Sequence, residues 1–185
     1  MMRGAGYGPG PGAGAGAGGM MRGMGGGMGM GMGGGGMADE MRVWMALLTN
    51  HQKVSRWSRA TSYGAEASTT SSDPQIAALI QDHVAQMKAL LGRCAAAGAG
   101  GAVGACRGPR PWDPLFAAVF ANAGDLEPQV ANKTTPAGAP LGVFVQERGA
   151  TPFAAKLAAA HAAAVDGFVA RGHDAAMEAH AVPSA

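Results

Sequence analysis

Between residues 39 and 51 the apolar positions Val43, Trp44, Leu47 and Leu48 fall three and four apart, with His51 one turn further on, and this spacing predicts a helix with Asp39 and Glu40 in its first turn. The pattern then changes. Residues 53–60 and 65–71 are rich in Ser and Thr, hold Val54 and Trp57, and are divided by Tyr63-Gly64, which predicts a β-hairpin. Asp73-Pro74 opens a second helix, with an acceptor at the cap and a proline at the first helical position, where its missing N–H leaves no bond unmade. Ile76, Ile80, His83, Met87 and Leu91 share one face of it.

The same order is then written again. After Pro111-Trp112-Asp113-Pro114, the residues Phe116, Val119 and Phe120 repeat the spacing of Trp44, Leu47 and Leu48, and Asn122 stands 72 positions after Asn50. Segments 126–133 and 141–147 flank a Pro/Gly turn and predict a second, longer hairpin. A helix from Pro152 turns Phe153, Leu157, His161, Val165 and Phe168 to one side, with Leu157, His161 and Arg171 each 78 positions after Leu79, His83 and Arg93. Two αββα units, 37–93 and 112–174, thus predict an α+β domain: a four-stranded antiparallel sheet covered by helices, with approximate two-fold symmetry. A Gly/Ala linker, 94–111, joins the units, and residues 175–185 read as a solvated polar tail.

In front of this body lies a low-complexity arm, residues 1–36, in which Gly-Ala alternation gives way to a run of Gly and Met. Glycine loses the most backbone entropy on ordering and the arm has little to bury in return, so it is expected to be disordered. Met37 offers an alternative start to the chain. The arm carries Met20, Met21, Met24, Met28, Met30 and Met32, whose thioethers are soft ligands suited to Cu(I).

Composition sets the scale of the core. Apolar residues make up 48% of the chain and aromatic ones only 5%, with much of the remainder alanine, so the body buries small side chains. The net charge is +2, and Arg3 and Arg22 are the only charges before Asp39, leaving acidic and basic side chains equal in number in the body. Without a basic cluster, nucleic acid is not an expected partner. No apolar run reaches the length of a membrane span and no secretory signal is recognisable, so the sequence reads as a soluble, by default cytoplasmic protein of open oligomeric state. Cys94 and Cys106 lack zinc-finger spacing; they close a short loop if oxidised, but two free thiols in a Gly/Ala linker is the favoured state.

The body resembles a family of small bacterial proteins of no established activity that combine a Gly/Met-rich N-terminus with a duplicated αββα unit. The resemblance rests on the arm, on Asn50-His51, on Ser72-Asp73-Pro74 with Ala77, Ile80, His83 and Met87, and on Trp112 to Phe116, and it spans most of residues 37–177. It implies the fold and draws attention to the histidines, and it transfers no reaction. The second unit departs from the first at Ala123, which stands where His51 is, and at Val165, which stands where Met87 is.

Those histidines carry the expected chemistry. Two-fold symmetry places His83 and His161 at equivalent inward positions, and with His51 and Met87 they form a mixed nitrogen and sulfur set for copper, with a haem axial pair as a third reading. The function expected is non-catalytic copper binding or handling, with no catalytic residue assigned, since no nucleophile motif is present. The competing reading is a metal-free interaction module for an unidentified protein partner, in which the histidines serve the core and bond to neighbours such as Asn50 and Asn122. His173, Met177 and His180 read as part of the fraying tail.

Overall fold

A computed structural model of the chain describes residues 35–98, 106 and 108–185, and the arm methionines Met20, Met21, Met24, Met28, Met30 and Met32 lie outside the described residues, as does the expectation of disorder there. The elements follow the predicted order: α1 (Gly35–Thr49), β1 (Ser55–Thr61), β2 (Gly64–Thr70), α2 (Pro74–Ala97), α3 (Pro114–Ala121), β3 (Leu126–Thr134), β4 (Pro140–Gly149), α4 (Pro152–Arg171) and α5 (His173–Ala176). All strand pairs are antiparallel, in the order β1-β2-β4-β3, so the two hairpins meet along β2 and β4. The described residues form one compact unit.

Three helices begin as their sequences require. Asp73 accepts from the Gln75 and Ile76 amides, Asp113 from Leu115 and Thr151 from Ala154, each followed by a proline in the first turn. α1 begins at Gly35, four residues before the expected start, so Asp39 and Glu40 lie beyond its first turn; Glu40 instead pairs with Arg93 of α2 at 3.7 Å. Asn50 and Asn122 each donate their side-chain amide four residues back, to Ala46 O and Ala118 O, and a short 3-10 turn follows each. Their side chains therefore finish helices and are not partners of the histidines.

Both ends of the β2–β4 seam require glycine. At Gly64 (φ 145°) and Gly142 (φ 133°) a Cβ would fall 2.1 Å from the carbonyl oxygen of Glu147 and of Thr69 respectively, so only a bare backbone allows the strands to close.

Side chains alternate across the sheet. One face turns Ala65, Ala67, Val143 and Val145 toward α2 and α4. On the other, Glu66 gathers Arg59, Tyr63 and Gln146, hydrogen bonds that hold its carboxyl down to about 2. Among the described residues α4 has the length and apolar character of a membrane span, with a mean hydropathy of 1.3. It nevertheless lies across the sheet as a core helix, with Leu157 wholly buried and Asp166 paired to Arg56 of β1 at 2.7 Å.

Three expectations are corrected. α2 runs to Ala97, into the stretch read as linker, because Leu91 and Cys94 are buried and the alanines that follow favour helix. Cys94 and Cys106 are not free: they form a disulfide with Cα atoms 5.2 Å apart, tying the end of α2 to the segment that enters Arg110. The tail is not a fraying end either. Ala175 and Ala176 have essentially no exposed surface, and His180 is anchored to Asp113, although Met177 is exposed.

Candidate functional site: a cavity between helices and sheet

The core is divided. One apolar cluster joins the end of α2 to α3 and α4 and includes Leu91, Phe116, Leu157 and Phe168; the other joins α2 to the sheet through Ile76, Ile80 and Val143. Between helices and sheet lies a cavity of about 230 Å³, with members of both clusters in its walls. Its origin is visible in the composition: Ala65, Ala67 and Ala162 line it, positions where a longer side chain would occupy the space.

His51, His83, Met87 and His161 all line this one cavity. Each histidine is held differently. His51 follows α1, and its Nδ1 bonds to the Val169 carbonyl oxygen at 2.9 Å. A carbonyl only accepts, so Nδ1 carries the proton. The ring packs so closely on Gly172, the C-cap of α4, that a Cβ there would lie 2.6 Å from its Cδ2. His51 thus fastens the end of α1 to the end of α4 while one side of it faces the cavity.

His161, on α4, brings Nδ1 to 3.1 Å from Glu147 Oε2 and sets its ring edge-on to Phe116, with centroids 5.3 Å apart. Glu147 comes from β4 and is itself buried. A carboxylate behind one ring nitrogen fixes the tautomer and leaves the other nitrogen with its lone pair, the arrangement that supports imidazole ligands in metal sites.

Among the described residues His83, on α2, has no hydrogen-bond partner, and its Nδ1 is buried. Burial, and then the neighbouring His161, push its imidazole down to about 4, so the ring is neutral at physiological pH. Met87 stands one helical turn further along the same wall. Among the described residues no group of three or more His, Cys, Asp or Glu side chains is arranged to hold a metal ion. The imidazoles of His51, His83 and His161 and the Met87 thioether are the nitrogen and sulfur donors in the cavity wall.

The chain matches no family model, no curated protein and no solved structure.

Arg56, Lys88, Arg110 and Glu147 are the charged groups in the cavity wall, and sequence reasoning singles out none of them; the two arginines are the most heavily bonded. Arg56, on β1, donates Nε to Asp166 Oδ1 at 2.7 Å, Nη1 to Thr69 Oγ1 at 2.6 Å and Nη2 to Ala162 O at 3.4 Å; burial lowers its pKa, and Asp166 works against that shift. The signal available was a positive charge at an inward-facing position of a strand.

Arg110 is the other, and it is only 2% exposed. Its guanidinium bonds to Ala176 O, to Asp113 Oδ2 at 3.0 Å and to Glu178 O at 3.0 Å, leaving Nε buried and unpaired. Around it stand Trp112 at 4.4 Å, Phe168 at 5.0 Å, Phe116 at 5.1 Å and Trp44 at 5.7 Å from Cζ. Asp113 has no exposed surface and also takes the His180 amide at 3.2 Å and its Nδ1 at 2.7 Å. Burial raises the Asp113 pKa, but the bonds from His180 and Arg110 outweigh it and hold the carboxyl below the usual carboxylate range. The C-terminal segment is thereby locked against one end of the cavity.

Proposed function

We propose that the protein is a binding module whose cavity between helices and sheet, partly open to the surface, takes a small, largely apolar molecule. The observation that carries this reading is the 230 Å³ space walled by alanine, aliphatic and aromatic side chains. A dry cavity of about 150 Å³ admits benzene, so this one suits a ligand roughly half as large again. Of its charged wall residues, Arg56, Arg110 and Glu147 are already engaged with protein partners and Lys88 is exposed, which favours an uncharged body in the ligand.

The expected result is that saturating toluene or naphthalene raises the Tm of the full chain by several degrees and changes its tryptophan fluorescence, because Trp44 is in the wall. Ala67→Leu, which puts a larger side chain into the space, should raise the Tm on its own and weaken either probe at least tenfold. A native protein indifferent to both probes would overturn the reading.

A second reading, Cu(I) binding, is favoured by the placement of His83, Met87 and His161 on one apolar wall with Glu147 behind His161. His83 and His161 would supply imidazole nitrogen and Met87 its thioether, with the arm methionines as additional soft donors. In competition with a chromogenic Cu(I) chelator, the double variant His83→Leu/His161→Leu is expected to lose at least tenfold in affinity. Unchanged affinity would remove the cavity from copper handling.

We further infer that the two helix–hairpin–helix runs are copies of one unit. The support is the pair of Asn50 and Asn122 joints and the three Asx- or Thr-capped, proline-led helices. A failure of 37–97 to superpose on 112–171 would count against it.

A further inference from the structure

We propose that the molecule taken by the cavity is a neutral aromatic ring system carrying a single hydrogen-bond donor, of the indole or phenol type, and that the donor is received by His161 with His83 beside it. The inference rests on the cavity-binding reading above and specifies its ligand.

The polar groups of the wall lead to the donor. Buried nitrogen and oxygen atoms are paired in more than about nine cases in ten, so an imidazole without any partner in an apolar wall requires an account. Among the described residues His83 has no hydrogen bond and its Nδ1 is buried, while His161, a partly exposed side chain in the cavity wall, bonds through Nδ1 and has no protein partner on Nε2. Because Glu147 is an acceptor, the His161 Nδ1 holds the proton, and in the neutral ring Nε2 is left as an acceptor. An N–H or O–H of a molecule in the cavity, which His161 lines, would pair with it.

The remaining charges lead to a neutral partner. The Arg56 charge is set against Asp166, with Thr69 and a carbonyl beside it, and the Arg110 charge against Asp113, with two carbonyls beside it and only Nε left unpaired. Lys88 borders the cavity, but its residue is exposed. An anionic ligand would therefore give up its own hydration without a free buried cation to receive it.

The aromatic character follows from the neighbours of His161. Phe116 meets that imidazole edge-on and stacks on Phe168 at 5.7 Å, and Trp44 stands in the same wall. A flat ring placed against these faces gains offset-stacked and edge-to-face contacts that an aliphatic chain does not. The volume accommodates a fused bicyclic ring.

Indole and indene have the same ring skeleton and differ in the N–H, so they isolate the donor. By calorimetric titration of the full chain, indole is expected to bind at least tenfold more tightly than indene. In His161→Phe, which keeps a ring and removes the acceptor, the preference should fall to within about twofold. His83→Phe is the second variant, and it should reduce the preference less than His161→Phe does. Equal binding of indole and indene by the native chain would overturn the donor assignment while leaving the cavity reading intact. A preference that survives in both variants would overturn the choice of acceptor. Failure of indole, indene and toluene alike would overturn the cavity reading itself.

Discussion

Arg110→Met is expected to destabilise the fold by about 3–5 kcal/mol, the range for removing one partner of a buried ion pair. The size follows from what is left behind. Asp113, with no exposed surface, loses the guanidinium that balances it, and the carbonyls of Ala176 and Glu178 lose their donor together with the aromatic surround of Trp44, Trp112, Phe116 and Phe168. Methionine fills much of the volume, so the loss reports charge and hydrogen bonding more than packing. Asp113→Asn in the same chain keeps an acceptor for the Leu115 amide and removes the stranded charge, so the double variant should recover part of the loss. Urea denaturation at constant pH measures both. A single variant within about 1 kcal/mol of the native protein would show that the pair does not hold the C-terminal segment.

Stability should also fall by on the order of 3 kcal/mol as pH drops from 6.5 to 4, through His83 alone. The unfolded chain takes up a proton on this ring near its ordinary 6.5, whereas the folded protein resists until about 4. Over that window the unfolded state binds more protons, so stability rises with pH: the contribution is fully present above 6.5 and is lost progressively toward 4. Carboxylates held low, such as Glu66 at about 2, lose their share at lower pH, below their ordinary values, which leaves the upper part of the window to His83. His83→Leu removes the titrating group, and denaturation at pH 7, 6 and 5 should give a flatter profile than the native protein. Parallel profiles would refute the assignment.

Much of this fold was legible because its signals are local. The dipeptides Asp73-Pro74, Asp113-Pro114 and Thr151-Pro152 start helices by their own bonding, and the first hairpin turns at Ser62-Tyr63, one residue before the Tyr63-Gly64 expected, with Gly64 already paired to Thr61. Helical spacing turned His83, Met87 and His161 inward, and all three are in the cavity wall. Spacing along one helix does not distinguish an inward residue in contact with the core from one beside a void, since that depends on volumes added across two helices and a sheet.

The features that escaped depend on distant chain. Arg110 reads as part of a linker, and its burial is decided by the carbonyl of Ala176, 66 positions later. The tail looks polar one residue at a time, but Asp113 receives His180 across 67 positions. The disulfide was missed for a related reason: Cys94 was placed in a linker, whereas continued helix fixes it opposite Cys106.

A chain cut at any peptide bond between Cys94 and Cys106, 12 positions apart, remains one covalent molecule until it is reduced. Each fragment would carry one hairpin, and the seam from Gly64↔Arg148 to Thr70↔Gly142 would be the sheet's only ladder between them. With the bridge intact, reassembly of the nicked protein is unimolecular and independent of concentration. Once the bridge is reduced, the same seam must form between two separate molecules, and the nicked fold becomes subject to dilution.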